Sequence, residues 1–311
     1  MGYSERVNDL FSSQLGEWDL AQANYKQLEN VRTRKIGFKT FDLIVQFNPG
    51  RITSSAAKVD SRSIETRPCF LCAKNRPAQQ RGLIFDTNWT ILVNPFPIFK
   101  RHLTIVSDEH TDQRILSSFR KMLSLARELT DFVVFYNGPQ CGASAPDHLH
   151  FQAGNKGFLP VENDFAEKKN CTLISHKNDL KVWQWNNYLR GMVTLEGSGM
   201  EELAVFFERF YERFMLLQPD RPEPMLNILA SFSGGMWTVH IIPRKLHRPS
   251  QFFAEDNEKI LLSPASVDMG GVVITPREED FKKITASDIS SIFGQVCLED
   301  GEMIPLLKDI L

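Results

Sequence analysis

The sequence has 311 residues, of which 42% are hydrophobic, 11% aromatic and 24% charged, with a formal net charge of −2 and a pI near 6.4. This length and composition allow one large domain or two modest ones with an ample core, and they exclude a collagen, a coiled coil or a disordered chain. A near-neutral charge is not that of a protein that coats nucleic acid or an anionic membrane, but one locally basic pocket could still take a small anionic substrate.

The N-terminal residues predict a cytoplasmic protein. They contain neither an apolar signal core nor a basic leader, Arg6 breaks the myristoylation pattern, and no apolar run is long enough to span a bilayer.

The five cysteines are too few and too scattered for a disulfide framework, and only Cys69 and Cys72 are spaced as a pair. The sequence leaves open whether the protein forms a homodimer.

Hydrophobic periodicity and turn residues predict the elements of the first half of the chain. In chain order these are a mostly polar helix over residues 4–29, a strand over 36–47 ended by Asn48-Pro49-Gly50-Arg51, a cysteine-containing loop over 67–77, strands at 90–94 and 102–107, an amphipathic helix over 111–128 capped by Thr111 or Asp112, a strand at 131–137, a Gly/Ser/Pro loop, and a strand at 148–153.

The second half echoes the order helix, strand, glycine-containing turn, strand, but its sequence identity to the first half is negligible, so the echo does not demonstrate a repeat. Its predicted elements are a helix over 199–217, a strand at 225–232, a tight turn at 233–235, a strand at 236–243, an apolar stretch at 269–275 and a helical region over 286–298. Helices mixed with strands that short turns connect predict an α+β fold with a largely antiparallel sheet flanked by helices. We expect an N-terminal helical segment (1–35), a half that carries the chemistry (36–185) and a second, catalytically silent half (186–311), packed together.

The densest chemical signal is His148-Leu-His150-Phe-Gln152, which follows a loop rich in glycine and small residues. Side chains alternate along a strand, so the two histidines and the glutamine share one face. Backbone N–H groups of such a loop can approach a phosphate closely. A neutral imidazole can attack phosphorus and hold it as a phosphoramidate while neighbouring donors stabilise the oxygens. The competing interpretation, favoured for an isolated His-x-His, is a pair of structural histidines.

A second pattern suits a metal ion. Cys69-Phe-Leu-Cys72 presents two thiolates at the spacing of a tetrahedral zinc site, and two histidines from elsewhere, His110 and His148, could close the shell. Four protein ligands leave no open position, so such a zinc would be structural and would hold His148 still beside His150. A redox pair or chance is the alternative, although the context of a thioredoxin-like motif is missing.

The stretch from Asn137 to Gln152 resembles galactose-1-phosphate uridylyltransferases, diadenosine polyphosphate phosphorylases and GDP-hexose phosphorylases, all members of the histidine-triad-like superfamily. The resemblance implies a histidine-triad-like fold with two similar halves, His150 as the nucleophile, and a transferase or phosphorylase because Gln152 stands where the hydrolases have a third histidine. It also implies a set of phosphate-binding residues and a set of zinc ligands: Asn137, Gly142 and Ser144 for the phosphate, and Cys69, Cys72, His110 and His148 for the zinc.

Two further stretches, residues 41–51 and 263–281, resemble GDP-hexose phosphorylases most, whereas the cysteine pair is typical of the uridylyltransferases. The favoured expectation is phosphorolysis of a GDP-hexose-like nucleotide sugar through a nucleotidyl-His150 intermediate, with Arg51 at the phosphate or the base. A hexose-1-phosphate uridylyltransferase, a dinucleoside polyphosphate phosphorylase and a non-catalytic zinc-stabilised nucleotide-binding protein are the alternatives. The expected partners are a small nucleotide or nucleotide sugar and a phosphate acceptor, with neither nucleic acid nor membrane.

Other groups are open to two interpretations. A basic cluster after strand 236–243 could line an anionic pocket or form a solvated face; its members are Arg244, Lys245, His247 and Arg248. His240 occupies the place in the second half that the histidine pair occupies in the first, but no second histidine accompanies it. Trp183 and Trp185 are expected to pack in the core, with stacking on a base as the alternative.

Overall fold

Antiparallel strands dominate the structure, a computed structural model that describes residues 2–52, 61–308 and 310–311. The strands are β1 (Arg32–Gly37), β2 (Asp42–Phe47), β3 (Gly82–Phe85), β4 (Trp89–Val93), β5 (His102–Ser107), β6 (Phe132–Asn137), β7 (His150–Asn155), β8 (Cys171–Lys177), β9 (Leu180–Trp185), β10 (Val193–Gly197), β11 (Leu226–Ser233), β12 (Met236–Pro243) and β13 (Val272–Thr275). The α-helices of the described residues are α1 (Tyr3–Glu17), α2 (Asp19–Gln27), α3 (Ser61–Thr66), α4 (Phe119–Glu128), α5 (Pro160–Ala166), α6 (Met200–Leu217), α7 (Ser250–Phe253), α8 (Ser266–Met269), α9 (Glu278–Lys283), α10 (Ala286–Val296) and α11 (Asp300–Lys308).

Ten strands form one antiparallel sheet in the order β3-β4-β5-β7-β6-β11-β12-β10-β9-β8. From the centre, where β6 pairs with β11, the two sides run outward in matching order, as β7, β5, β4, β3 and as β12, β10, β9, β8. A helix precedes each central strand, α4 before β6 and α6 before β11. The predicted α+β fold, with two similar halves and a largely antiparallel sheet flanked by helices, is confirmed.

Strand pairing bears on where the halves divide. β8 and β9 lie within residues 36–185, but β9 pairs with β10, so both strands extend the side of the sheet that belongs to the second half. A separate three-stranded sheet, β1-β2-β13, joins β13 of the second half in parallel to β2 of the first. A boundary between β7 and β8 therefore fits the topology better than one at 185/186, and the division into domains stays a prediction.

Two elements predicted as continuous are broken in the structure. The helix over 4–29 is two helices, α1 and α2, because Trp18 adopts an extended backbone (φ −125°, ψ 96°) that ends α1. The strand over 36–47 is the hairpin β1-β2, whose turn is closed by a hydrogen bond from the Phe38 N–H to the Phe41 carbonyl at 2.9 Å. Phe38 and Phe41 stack in this turn, at 5.0 Å between ring centroids.

The helix predicted over 111–128 begins later than expected. α4 starts at Phe119 after a 3₁₀ turn over Leu116–Ser118, so Thr111 and Asp112 do not cap it. Residues 111–113 instead pair with the loop before β7, since the Leu149 N–H donates to the Thr111 carbonyl at 2.7 Å. The strand predicted over 148–153 likewise begins at His150, and the stretch at 269–275 is the end of α8 followed by β13.

Two cores cover the two faces of the large sheet. Helices α1, α4 and α6 pack on one face, where Phe119 and Phe207 stack at 3.9 Å between ring centroids. Leu149 and Phe151 belong to this core, as their alternation with the histidines predicted. The other face packs against the small sheet, α9 and α10. Among the described residues, no helix combines the length and the apolar character required to cross a bilayer.

The first member of the basic cluster after β12, Arg244, does not lie on a solvated face. Arg244 is fully buried and donates to the Val296 and Pro264 carbonyls and to Asn227 Oδ1, at 2.6–2.9 Å, so it is a structural residue. The prediction for the tryptophans is confirmed, because Trp185 is fully buried and Trp183 packs against the same core. Burial of this kind is decided by long-range pairing, which a local run of basic residues does not encode.

Glu223 is a buried carboxyl group that links β6 to the segment before α4. One oxygen accepts the Tyr136 hydroxyl and the other accepts the Ile115 N–H, both at 2.7 Å. Burial raises the pKa of Glu223 to about 7, although both hydrogen bonds act to lower it. The folded state therefore keeps a proton that the unfolded state loses near the ordinary pKa of 4.5, so the free energy of unfolding should fall as the pH rises from 4.5 to about 7 and then level off.

Replacing Glu223 with glutamine should flatten this slope and raise the free energy of unfolding near pH 8 by about 2–3 kcal/mol. The amide stays neutral, and its oxygen can still accept the Ile115 N–H. Urea titrations at about pH 5 and about pH 8 measure the effect. The control is Glu202→Gln, at an exposed position of α6, which should keep the wild-type slope. If the free energy of unfolding of Glu223→Gln fell with pH as steeply as that of wild type, Glu223 would not be the group responsible for the pH dependence.

Candidate functional site

Two cavities meet on the face of β7 that carries His150 and Gln152. The larger, which we call the apolar cavity, has a volume of about 480 Å³ and lies between α2, the cysteine loop and the ends of β4 and β5. Its walls are mainly apolar side chains, among them Trp18, Leu20, Phe70, Leu71, Pro77, Leu92, Pro95 and Phe96. His150 and Gln152 line this cavity together with Arg51, Arg67 and Ser144. The predicted nucleophile therefore faces a space large enough for a nucleoside.

The His150 ring is held in one tautomer. Its Nδ1 lies 2.8 Å from the His148 carbonyl oxygen, which can only accept, so Nδ1 carries the hydrogen. Burial lowers the pKa of His150 to about 4, against an opposing effect of this hydrogen bond, so the ring is neutral near pH 7. A neutral ring with its proton on Nδ1 has its lone pair on Nε2. The side chain is 3% exposed and still lines the cavity.

Gln113 fixes the backbone of His150 and was not singled out from the sequence. Its Oε1 accepts the His150 N–H at 2.8 Å, and its Nε2 donates to the His150 and Asn137 carbonyls at 2.9 and 3.0 Å. The side chain is fully buried. The sequence offered no signal for this role, because Gln113 stands in a polar stretch that was assigned to the first turn of a helix.

Gln152 is oriented by His102, which lies in the stretch 101–106 that resembles the phosphorylases but had been assigned no role from the sequence. His102 Nδ1 accepts the Ile98 N–H at 3.1 Å, which leaves its hydrogen on Nε2, 3.0 Å from Gln152 Oε1. His102 therefore donates to the oxygen of Gln152, and the Gln152 NH₂ group is the end that faces the site. Burial, with a contribution from Arg51, lowers the pKa of His102 to about 3 and keeps this ring neutral.

The loop between β6 and β7 brings the predicted phosphate-binding residues beside Gln152. Asn137, Gly142 and Ser144 line a second, smaller cavity, and Ser144 reaches both cavities. Gly142 has φ +96°, and a Cβ there would come within 2.4 Å of the Ala265 Cβ, so no other residue fits. The loop therefore packs closely against Ala265 of the second half, while its small residues line the cavities.

The four predicted metal ligands converge. The Sγ atoms of Cys69 and Cys72 and the Nδ1 atoms of His110 and His148 lie 3.2–3.6 Å apart in the four close pairs, and all four ligand atoms fall within 4.8 Å of one another. Zinc bonds of about 2.3 Å to sulfur and about 2.0 Å to nitrogen would separate tetrahedral ligands by roughly 3.3–3.8 Å. Spacing and donor set therefore fit a zinc ion.

The hydrogen bonds around this cluster also suit a metal. His148 Nε2 lies 2.8 Å from the Ser107 carbonyl, so it carries the hydrogen and leaves Nδ1 as the ligand atom. A metal-bound histidine almost always donates its other ring N–H in this way. Burial has the largest single effect and would raise the pKa of the Cys69 thiol, but the interactions with His148 and with the backbone N–H groups of Leu71 and Cys72 together outweigh it and lower the pKa to about 6. A thiolate is the form that binds zinc.

Two arginines approach the apolar cavity. Arg51, predicted at the phosphate or the base, donates through Nη1 to the Phe96 carbonyl at 2.7 Å and lines both cavities. Arg67 pairs with Asp147 at 2.7 Å, and its buried Nη1 has no hydrogen-bond partner within the described residues. A buried guanidinium N–H without a partner is costly, and it is what a bound anion would satisfy. Arg67 had been noted only as the start of the cysteine loop.

Residues 10–155 match the family model of a domain of unknown function, DUF4922, and residues 164–310 match that of the GDPGP1-like C-terminal domain. Galactose-1-phosphate uridylyltransferase of Clostridium perfringens is 23% identical over 160 residues, which are 44% of this chain and 32% of that protein. Diadenosine tetraphosphate phosphorylase 2 of Saccharomyces cerevisiae is 24% identical over 183 residues, 53% of this chain and 54% of that protein. The chain thus spans about a third to a half of the length of these curated relatives.

The crystal structure of the yeast Ap4A phosphorylase Apa2 superposes with a TM-score of 0.61 at 17% identity, over 91% of this chain and 97% of that one. This shared fold agrees with the two sequence relatives. The chain has a histidine-triad-like fold. Its two sequence relatives are a uridylyltransferase and a diadenosine tetraphosphate phosphorylase, the enzymes that the stretch around His150 resembles.

In this histidine-triad-like chain, sheet register identifies the counterparts of the site residues in the second half. Phe135 and Leu229 pair with each other at the centre of the sheet, where β6 meets β11. Gln152 lies next to Phe135 on one side, with Thr104 beyond it, and His240 lies next to Leu229 on the other side, with Thr194 beyond it. His240 therefore corresponds to Gln152. Two residues away, Thr238 stands where the first half has His150. His240 is buried against Thr194, 2.7 Å from its hydroxyl.

Proposed function

We propose that this protein is a nucleotidyltransferase that works through a covalent nucleotidyl-His150 intermediate. The observation that carries the proposal is a neutral His150 with its Nδ1 hydrogen on the His148 carbonyl and its Nε2 lone pair left for the cavity. This is the state in which an imidazole attacks phosphorus. Thr238 at the equivalent position supports a second half without a nucleophile.

The reaction runs as a double displacement. His150 Nε2 forms a bond to the α-phosphorus of a nucleoside diphosphate derivative, and the bond from that phosphorus to the bridging oxygen breaks, so the sugar phosphate leaves with the electron pair. An oxygen of inorganic phosphate then attacks the same phosphorus and the P–N bond breaks, which restores neutral His150. The Nδ1–H bond to His148 stabilises the positive ring of the intermediate, and the NH₂ of Gln152 donates to the phosphoryl oxygens.

The Cys69, Cys72, His110 and His148 cluster would hold a structural zinc ion, which supplies rigidity to the loop before β7. His148 connects that cluster to the nucleophile, because its ring offers Nδ1 to the cluster while its carbonyl accepts the hydrogen of His150 Nδ1. Any movement of His148 would therefore reorient the His150 ring.

The favoured donor is a nucleotide sugar of the GDP-hexose type. Support comes from residues 41–51 and 263–281, which resemble GDP-hexose phosphorylases, and from the match of residues 164–310 to the GDPGP1-like C-terminal domain. Phe70 and Phe96, both exposed at the apolar cavity, are suited to stacking on a base. Hexose-1-phosphate uridylyl transfer and dinucleoside polyphosphate phosphorolysis are the alternatives, each favoured by one of the two sequence relatives.

A substrate screen tests this assignment. The protein is incubated with inorganic phosphate and, separately, GDP-glucose, GDP-mannose, UDP-galactose and diadenosine tetraphosphate, and products are followed by phosphorus NMR. We expect a GDP-hexose to give GDP and the hexose 1-phosphate fastest. Faster turnover of diadenosine tetraphosphate, or of UDP-galactose with hexose 1-phosphate as acceptor, would replace the proposed substrate by that alternative. Binding without any turnover would favour a non-catalytic zinc-stabilised nucleotide-binding protein.

Removing the His102 donor should lower kcat by about 10–100-fold with little change in KM for the nucleotide, because the Gln152 amide is then free to rotate. His102→Asn can keep the contact to the Ile98 N–H but cannot reach Gln152, whereas His102→Gln can reach it. We expect the glutamine variant to recover part of the activity. In a Gln152→Ala background, His102→Asn should lower kcat little further. If it lowered kcat there as much as in wild type, the role of His102 would be merely structural.

A further inference from the structure

A small polar cavity of about 70 Å³, lined in part by Gln152, lies beside the apolar cavity. The two cavities share Arg51, Ser144 and Gln152, so they adjoin at the place proposed for the α-phosphorus. The remaining wall comes largely from the second half of the chain, through residues 247–248 and the segment 263–274. Its volume is that of a few water molecules, which is enough for a small oxyanion and too little for a base.

Hydrogen-bond donors converge on this polar cavity. Asn137 Oδ1 accepts the Ser266 N–H at 2.8 Å and the Asn227 NH₂ at 3.0 Å, so the amide NH₂ of Asn137 is the end presented to the cavity. Asn227 is itself oriented by buried Arg244, which donates to its Oδ1 at 2.6 Å. The orientation of Asn137 is thus set by two residues of the second half.

Two guanidinium groups complete the wall. Arg248 is held by its Nε contact to Ser263 Oγ at 3.1 Å and by stacking on Phe252, 4.2 Å from the ring centroid. Arg51 approaches from the first half. Among the described residues of the wall, Asp268 is the one carboxylate, and its two oxygens accept the Ala265 and Ile274 N–H groups of its own loop at 2.8 and 2.9 Å. Paired arginines and amide donors form a site for an oxyanion.

We propose that the polar cavity is the subsite for the acceptor phosphate, and that the second half, which lacks a nucleophile, supplies it through Arg248 and through its hold on Asn137. This inference rests on the proposed function and specifies the acceptor as inorganic phosphate. In the first displacement the same subsite holds the phosphate of the leaving group. The leaving group departs from the side of the α-phosphorus opposite His150, and the acceptor phosphate attacks from that same side.

Kinetics with varied inorganic phosphate test the subsite. Arg248→Met should raise the KM for phosphate at least about tenfold, as expected for the loss of one charge-assisted contact, while the Kd of GMP measured by calorimetry changes less than about twofold. Arg248→Lys should recover part of the loss. The matched control is Lys245→Met, a basic residue of the same segment that pairs with Glu302 at 3.2 Å outside the cavity; it should leave both values unchanged.

A second measurement separates this inference from the proposed function. In a His150→Ala background, which cannot turn over, inorganic phosphate should raise Tm above a potassium chloride control of equal ionic strength, and Arg248→Met should abolish that rise. An unchanged KM for phosphate in Arg248→Met, or a parallel loss of GMP binding, overturns the subsite even if nucleotidyl-His150 forms. Failure of wild-type protein to form nucleotidyl-His150 overturns the function, whereas the phosphate titration still decides the subsite.

Discussion

Replacing His150 with alanine should lower nucleotidyl transfer by at least about a thousandfold while leaving Tm within a few degrees of wild type. The loss is large because no other described side chain offers a neutral imidazole lone pair to the apolar cavity, and covalent catalysis has no partial substitute when the nucleophile is removed. Turnover is measured by phosphorus NMR, and the covalent intermediate by labelling with nucleotide carrying radioactive α-phosphorus. Labelled wild-type protein should carry the acid-labile, base-stable bond of a phosphoramidate.

His176→Ala is the control for this experiment. His176 is exposed on β8, outside both cavities, so its loss should change neither labelling nor turnover. Full turnover in His150→Ala would assign the chemistry to another residue and remove the proposed mechanism. Lost turnover together with a large fall in Tm would instead call for His150→Gln, which keeps a polar side chain of similar length at this position.

Cys72→Ser should remove about one equivalent of zinc per chain and lower Tm by about 6–10 °C. The loss of a structural metal leaves buried ligands unpaired, at a cost of roughly 3–5 kcal/mol, and each kcal/mol shifts Tm by about 2 °C in a protein of this size. Because the His148 carbonyl orients His150, kcat should fall as well. Metal content is measured by elemental analysis, and Tm by calorimetry with and without a chelator.

Cys171→Ser provides the matched control, since Cys171 is also half-buried but lies on β8, outside the cluster. It should retain zinc, Tm and activity, and the chelator should lower the Tm of this variant as it does that of wild type. Wild-type protein that contains no zinc after expression in zinc-supplemented medium, or a Cys72→Ser variant that keeps its zinc, would contradict the metal centre. The His150 mechanism would stand in either case.

Some features of the site follow from neighbours in the sequence. The alternation His148-x-His150-x-Gln152 placed His150 and Gln152 on one face of β7 and Leu149 and Phe151 in the core, because the period of a strand is two residues. The spacing of Cys69 and Cys72, taken together with His110 and His148, indicated a metal site. The helix over 199–217 and the strand over 236–243 were also predictable, since their hydrophobic periods are regular.

Other features depend on segments that meet only in the folded chain. Gln113 and His102 orient His150 and Gln152 from 37 and 50 residues away, and nothing in their own neighbourhoods indicates these contacts. The buried state of Arg244 and the side of the sheet on which β8 and β9 lie were likewise decided by strand pairing. The helix predicted over 4–29 breaks at Trp18, which is buried and has an extended backbone, and local helix propensity did not indicate this break.

The sequence by itself determined which residues could do chemistry: two histidines and a glutamine in strand alternation, a cysteine pair, and a glycine-containing loop. Only the tertiary structure decided which atom of each residue is presented to a ligand, because a tautomer or an amide orientation is set by hydrogen-bond partners that lie far away along the chain. It also decided that the second half contributes Arg248 to the wall of the polar cavity and, through Asn227, orients Asn137 there.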